Sequence, residues 1–100
     1  MQVIPKQEYK RLKELNLKRL DWFNFYGQRF SYGLLLEIFK VFKNTGVKST
    51  SISFDTNGNL VLFYETEIGK MATMVVNRLA TLETEKEAEA RWLKKIRKNK

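Results

Sequence analysis

Three features of this 100-residue sequence predict an α+β fold. The stretch Ser31–Thr45 is apolar around most of a helical circumference, Ser51–Tyr64 has the pattern of a β-hairpin, and both ends of the chain favour helix. Together they predict helices packed on one face of a small antiparallel three-stranded meander, in the order α(α)–α–β–β–β–α. The length suits a single domain spanning residues 1–100.

Pro5 is suited to a first helical position, where its missing N–H would have no intrahelical partner anyway. Tyr9, Leu12 and Leu15 then recur at helical spacing, with Leu20 and Phe23 able to extend the same face. Lys6, Lys10, Lys13 and Lys18 lie largely opposite, and Lys10, Glu14 and Lys18 can form an i,i+4 ladder. Leu17 falls off the stripe, so the helix is expected over residues 5–16 with a break near Asn16. A second short helical piece is expected from Asp21 as N-cap.

Trp22, Phe23, Phe25, Tyr26, Phe30 and Tyr32 crowd into one short stretch, with Asn24, Gln28 and Arg29 interleaved. Such rings stack on nucleic-acid bases, or serve as a protein-binding patch. So many aromatics on a soluble monomer are better placed in a core, at the corner where the first helix meets the central one.

On the central helix, Gly33, Glu37, Lys40 and Asn44 share one narrow stripe. Leu34, Leu35, Leu36, Ile38, Phe39, Val41 and Phe42 cover roughly 220° of the remainder, against the ~100° stripe of an ordinary surface helix. This helix needs neighbours on two sides. Ser31 is placed to cap its start, and Gly46 to end it in a left-handed conformation.

Beyond Gly46, Ser51-Ile52-Ser53-Phe54 alternates, Asp55–Asn59 is turn chemistry, and Leu60–Tyr64 is a β-rich run. A three-residue loop with Gly58 left-handed puts Ile52, Phe54, Leu60, Leu62 and Tyr64 on one face. A two-residue Asn57-Gly58 loop would exchange Leu60 and Leu62 for Val61 and Phe63. Asp at the start of a type I turn and Gly at its end favour the longer loop. Residues 70–77 fit a third strand, with Met71, Thr73 and Val75 facing one way and Ala72, Met74 and Val76 the other. Met71, Val75, Leu79 and Leu82 also fit helical spacing, but the preceding Gly69 and the Thr/Val content favour the strand.

A last helix is expected from Thr81 or Thr84, where Thr84-Glu85-Lys86-Glu87 fits a capping box. Glutamates fill its first turns and Lys/Arg its last, matching the helix dipole. Trp92, Leu93 and Ile96 form a small apolar patch near the end. The apolar stripe is nearly absent between Leu82 and Trp92, so the basic end at residues 91–100 is expected to project or to dock only by its final turns.

The chain has nineteen Lys/Arg against eleven Asp/Glu, a net charge of +8. Residues 1–30 contribute +4, residues 31–69 −1 and residues 70–100 +5, so the positive field belongs to the two ends. That asymmetry makes Arg91, Lys94, Lys95, Arg97 and Lys98 on the last helix, with Lys6, Lys10 and Lys13 on the first, the candidate contacts to nucleic-acid phosphates. The same charges suit an acidic protein surface. Richness in Lys, Asn, Phe, Tyr and Ile suggests an AT-rich genome, and the size suits a phage or mobile-element accessory protein. One form of that alternative is an inhibitor presenting charge to the nucleic-acid machinery of a host.

Catalytic signals are wanting. No cysteine and no histidine removes the commonest nucleophile, general base and metal ligands. Asp55–Asn59 opens like a calcium loop, yet Leu60 and Thr66 stand where the glycine and bidentate glutamate belong. Asp55, Glu65, Glu67 and Lys70 have the composition of a metal-dependent nuclease cluster, but Glu67 and Lys70 are one residue too far apart for E-x-K. Gly46-Val47-Lys48-Ser49 lacks the adjacent Gly-Lys of a phosphate loop. The expectation is a binding protein that is not an enzyme and needs no metal or cofactor. The N-terminus lacks a secretory h-region, and the Leu34–Leu36 run stops at Glu37, far short of a membrane span. A cytoplasmic location and no membrane partner are expected.

Overall fold

The computed structural model describes residues 1–82. The chain runs β1 (Gln2–Val3), α1 (Pro5–Glu14), β2 (Trp22–Phe25), β3 (Gln28–Ser31), α2 (Tyr32–Asn44), β4 (Thr50–Phe54), β5 (Leu60–Glu65) and β6 (Met71–Val76). The fold is α+β, and its main sheet is antiparallel with order β1-β4-β5-β6. Strands β2 and β3 form a separate two-stranded hairpin. The expected meander is therefore present as β4–β6, widened by β1, whose Gln2 and Val3 pair with Ser51 and Thr50. Two residues are too few to carry a periodic signal, so β1 is set by its tertiary partner. The expected final helix from Thr84 onward lies outside the described residues.

Pro5 opens α1 as expected, and Asn16, with φ of 51°, follows its C-terminus. The buried face of this helix differs from the apolar stripe. Leu12 is fully buried, but Leu15, Leu17 and Leu20 are exposed, and Glu8 is buried at 6% exposure. Its carboxylate accepts two hydrogen bonds from Arg11, at 3.1 and 2.9 Å, and one from the Tyr26 hydroxyl at 2.8 Å. Three donors replace the water that this carboxylate loses. Among the described residues Lys10, Glu14 and Lys18 form no ion pair; the pairs present are Arg11–Glu8 and the looser Arg19–Glu37.

The expected second helical piece is a β-hairpin instead. Asp21 caps a turn rather than a helix, accepting from the Lys18 N–H at 2.9 Å while its own N–H donates to the Lys18 carbonyl. Phe23 pairs with Phe30 and Phe25 with Gln28, around a two-residue turn at Tyr26-Gly27. Both turn residues have positive φ, 51° and 95°, as a type I′ hairpin requires. Phe23, Phe25, Phe30 and Tyr32 are buried, so the core assignment holds for four of the six rings.

Helix α2 is covered on several sides. Phe39 packs against Phe25 at 6.0 Å and Phe42 against Tyr64 at 4.6 Å, while the Tyr32 hydroxyl donates to the Leu12 carbonyl of α1. Leu34, Leu35, Phe39 and Phe42 are buried, Leu36 and Ile38 half-buried, and Val41 stays 51% exposed. Ser31 occupies the N-cap position, but its hydroxyl makes no capping bond and is buried without a partner among the described residues. Gly46, at φ of 78°, follows the C-terminus.

The β4–β5 connection has the longer loop. Asp55 N–H donates to the Asn59 carbonyl, Gly58 N–H to the Asp55 carbonyl, and Gly58 has φ of 81°. Ile52 faces Leu62 and Phe54 faces Leu60, which puts these side chains on the core side. Residues 71–76 are a strand, with Val76 buried and Ala72 and Met74 half-buried on the core side, whereas Met71, Thr73 and Val75 are exposed.

Candidate functional site

The sequence-predicted basic residues divide into two groups. Arg91, Lys94, Lys95, Arg97 and Lys98 lie outside the described residues. Lys6, Lys10 and Lys13 lie on α1, all exposed, and the fold brings them together with a residue that the sequence reading did not single out. Lys43, in the last turn of α2, completes a surface groove of about 440 Å³ lined by Lys6, Tyr9, Lys10, Lys13, Glu14 and Lys43.

Tyr9 is the organising side chain of that groove. Lys13 Nζ lies 5.3 Å from its ring centroid, and Lys43 Nζ reaches the same ring at 5.1 Å. Each ammonium is drawn to the negative face of the ring, an attraction of ~0.5–1 kcal/mol at exposed sites. Two cations from different helices are thus gathered on one aromatic. The arrangement follows from the packing of α1 along α2, fixed in part by the hydrogen bond between Tyr32 and Leu12. Tyr9 itself is half-buried and packs against the core. It was legible as a member of the apolar stripe; its place among lysines was not, because Lys43 is remote in sequence.

Four lysines against one carboxylate, Glu14, leave the groove with a local excess of positive charge. None of the four lysines is in an ion pair among the described residues. Chemically the groove can accept an anion with several oxygens, and its half-buried ring offers a flat apolar surface beside the charges. Glu14 is the one carboxylate that lines it among the described residues. Among the described residues no group of three or more Asp, Glu, His or Cys side chains is placed to hold a metal ion.

The hairpin presents a smaller groove of about 290 Å³, lined by Trp22, Gln28, Arg29, Arg78 and Leu79. Trp22 is the half-buried ring left on the surface once the neighbouring phenylalanines enter the core, and Arg29 and Arg78 line the same groove. Tyr26, the other exposed ring of that stretch, is committed to Glu8, and Arg11 lies 5.0 Å from its centroid. Burial and the bond to Glu8 push the Tyr26 hydroxyl pKa above the usual tyrosine value. The bond to Glu8 likewise raises that of Arg11.

No protein-family profile matches the chain, and comparison with the curated proteins and with the solved structures finds no significant match. Among the described residues no helix is long and apolar enough to cross a membrane.

Proposed function

We propose that this protein is a non-enzymatic binding module, cytoplasmic in location, that contacts nucleic-acid phosphates through the groove between α1 and α2. The observation that supports this reading is the convergence of Lys6, Lys10, Lys13 and Lys43 around Tyr9. Arg91, Lys94, Lys95, Arg97 and Lys98 would add to the same electrostatic attraction. Phosphate oxygens recur along a nucleic-acid strand, so a linear array of lysines suits them better than a single small anion.

Titration with short duplex and single-stranded oligonucleotides at two salt concentrations tests the reading. Binding is expected at low salt and should weaken steeply as salt rises, because each neutralised phosphate adds about −0.7 to −0.9 to the logarithmic slope. Lys10→Glu combined with Lys13→Glu should weaken binding at least about tenfold and flatten the slope by about 2. Absence of binding at low salt would discard the phosphate reading. The same lysines would then be assigned to an acidic protein surface, as in an accessory or inhibitor protein acting on nucleic-acid machinery.

A further inference from the structure

Strand β6 ends the main sheet, and the register fixes which of its backbone groups are free. The Thr66 N–H donates to the Lys70 carbonyl at 2.8 Å, so Thr66 and Lys70 form a hydrogen-bonded pair. Such pairs alternate along an antiparallel ladder. Ala72, Met74 and Val76 therefore bond to β5, opposite Tyr64, Leu62 and Leu60. The N–H and C=O groups of Met71, Thr73 and Val75 point away from β5, and no described strand lies beyond them. The Asp55–Asn59 pair gives the same phase from the other side of β5.

Among the described residues nothing gives this edge the usual protections. Met71–Val76 contains no charge and no proline, and its pairing with β5 runs without a bulge. The side chains on its outer face are also apolar and bare: Met71 is 72% exposed, Val75 61% and, on β5, Phe63 43%. Val75 lies directly opposite Val61, which joins the same surface.

We infer that β6 pairs antiparallel with β6 of a second copy of this chain, giving a two-fold dimer with a continuous eight-stranded sheet. The strand is complementary to itself in one register. With Thr73 on the two-fold axis, Thr73 pairs with Thr73 of the partner subunit and Met71 with Val75 of the partner subunit. Every outward N–H and C=O of the three residues then has a partner. The same register keeps Met71, Thr73 and Val75 of both copies on one face, so the apolar strips of the two sheets merge.

Charge favours the same arrangement. The chain as a whole is +8, which opposes self-association, but residues 60–77 carry only Glu65, Glu67 and Lys70. Antiparallel pairing brings the sheet end that carries Glu65, Glu67 and Lys70, a net charge of −1, beside the end that carries Arg78 of the partner subunit. The strand that would meet its copy is itself uncharged. This inference is independent of the proposed phosphate contacts.

Sedimentation and light scattering of the full chain over about two decades of concentration test it. The mass is expected to rise from 11.9 kDa toward twice that value. Thr73→Pro should raise the concentration of half-association about tenfold or more, a loss of ~1.4 kcal/mol or more. The substitution deletes an outward N–H and no bond to β5. Should it disturb the strand, Val75→Lys makes the same test from a side chain that is already exposed. A chain that stays monomeric throughout, or a dimer that survives both substitutions with the fold intact by circular dichroism, overturns the inference.

Discussion

Two polar side chains show how differently burial is met at the scale of the residue. Glu8 is buried with three hydrogen bonds, two from Arg11 within α1 and one from Tyr26 that joins α1 to the tip of the β2–β3 hairpin. Ser31 is fully buried with none among the described residues. A buried hydroxyl without a partner loses its hydration and gains nothing in exchange. Ser31→Ala should therefore leave stability unchanged or raise it by up to ~1 kcal/mol, as measured by urea unfolding. A serine at the start of a helix reads as a cap, and only the surrounding hairpin shows that its hydroxyl is turned into the core. Gly33, next in α2, has the opposite meaning: a Cβ there would lie 2.5 Å from the Arg19 carbonyl oxygen, so the chain passes where only glycine fits.

The elements differ in how plainly their residues announced them. The central helix, the β4–β5 hairpin with its longer loop and the third strand were legible because their apolar periods are long or bounded by Gly58 and Gly69. The β2–β3 hairpin also fits a helical pattern, because its strands are short and its aromatics suit either period. The informative signal was Gly27 between Phe23-Asn24-Phe25 and Gln28-Arg29-Phe30, where alternate residues enter the core. In the β4–β5 loop, the Asp55 carboxylate accepts from the backbone N–H groups of Asn57 and Asn59 and from the Asn59 amide. Those bonds, with the backbone of Asn59 the foremost, hold its pKa below the ordinary 3.8. A lowered folded pKa means that this contribution to stability is complete at neutral pH. It is lost as pH falls below about 3.8 and through the lower folded value. Asp55→Asn should remove that portion of the acid dependence, seen as a flatter fall of the thermal midpoint between pH 5 and pH 2 (approximately, on the usual carboxylate range).

For the molecule as a whole, charge and packing are decoupled. The core runs from Leu12 through the phenylalanines of the hairpin and α2 to Ile52, Leu60 and Leu62 of the sheet. The chain carries a net charge of +8, and two ion pairs form among the described residues. Like charges on one small domain repel, and salt screens that repulsion over about 8–10 Å at physiological strength. The thermal midpoint should rise as sodium chloride is raised from low to physiological concentration; a gain of ~1 kcal/mol would move it by roughly 4–8 °C. A midpoint that falls would mean that attractive ion pairs dominate instead. Part of the candidate site was visible in sequence as the spacing of Lys6, Lys10 and Lys13. The groove itself was not, because Lys43 joins it only through the packing of α2 beside α1.

Tyr26 carries one further consequence. Its position in the hairpin, with φ of 51°, is one that asparagine or glycine adopts more easily. Any search for a tighter bend would replace it, and would in the same stroke cut the hydroxyl's tie to Glu8. Improving the local geometry would remove one of the ties that hold the first helix, so rigidity at this corner and cohesion between elements pull on one side chain in opposite directions.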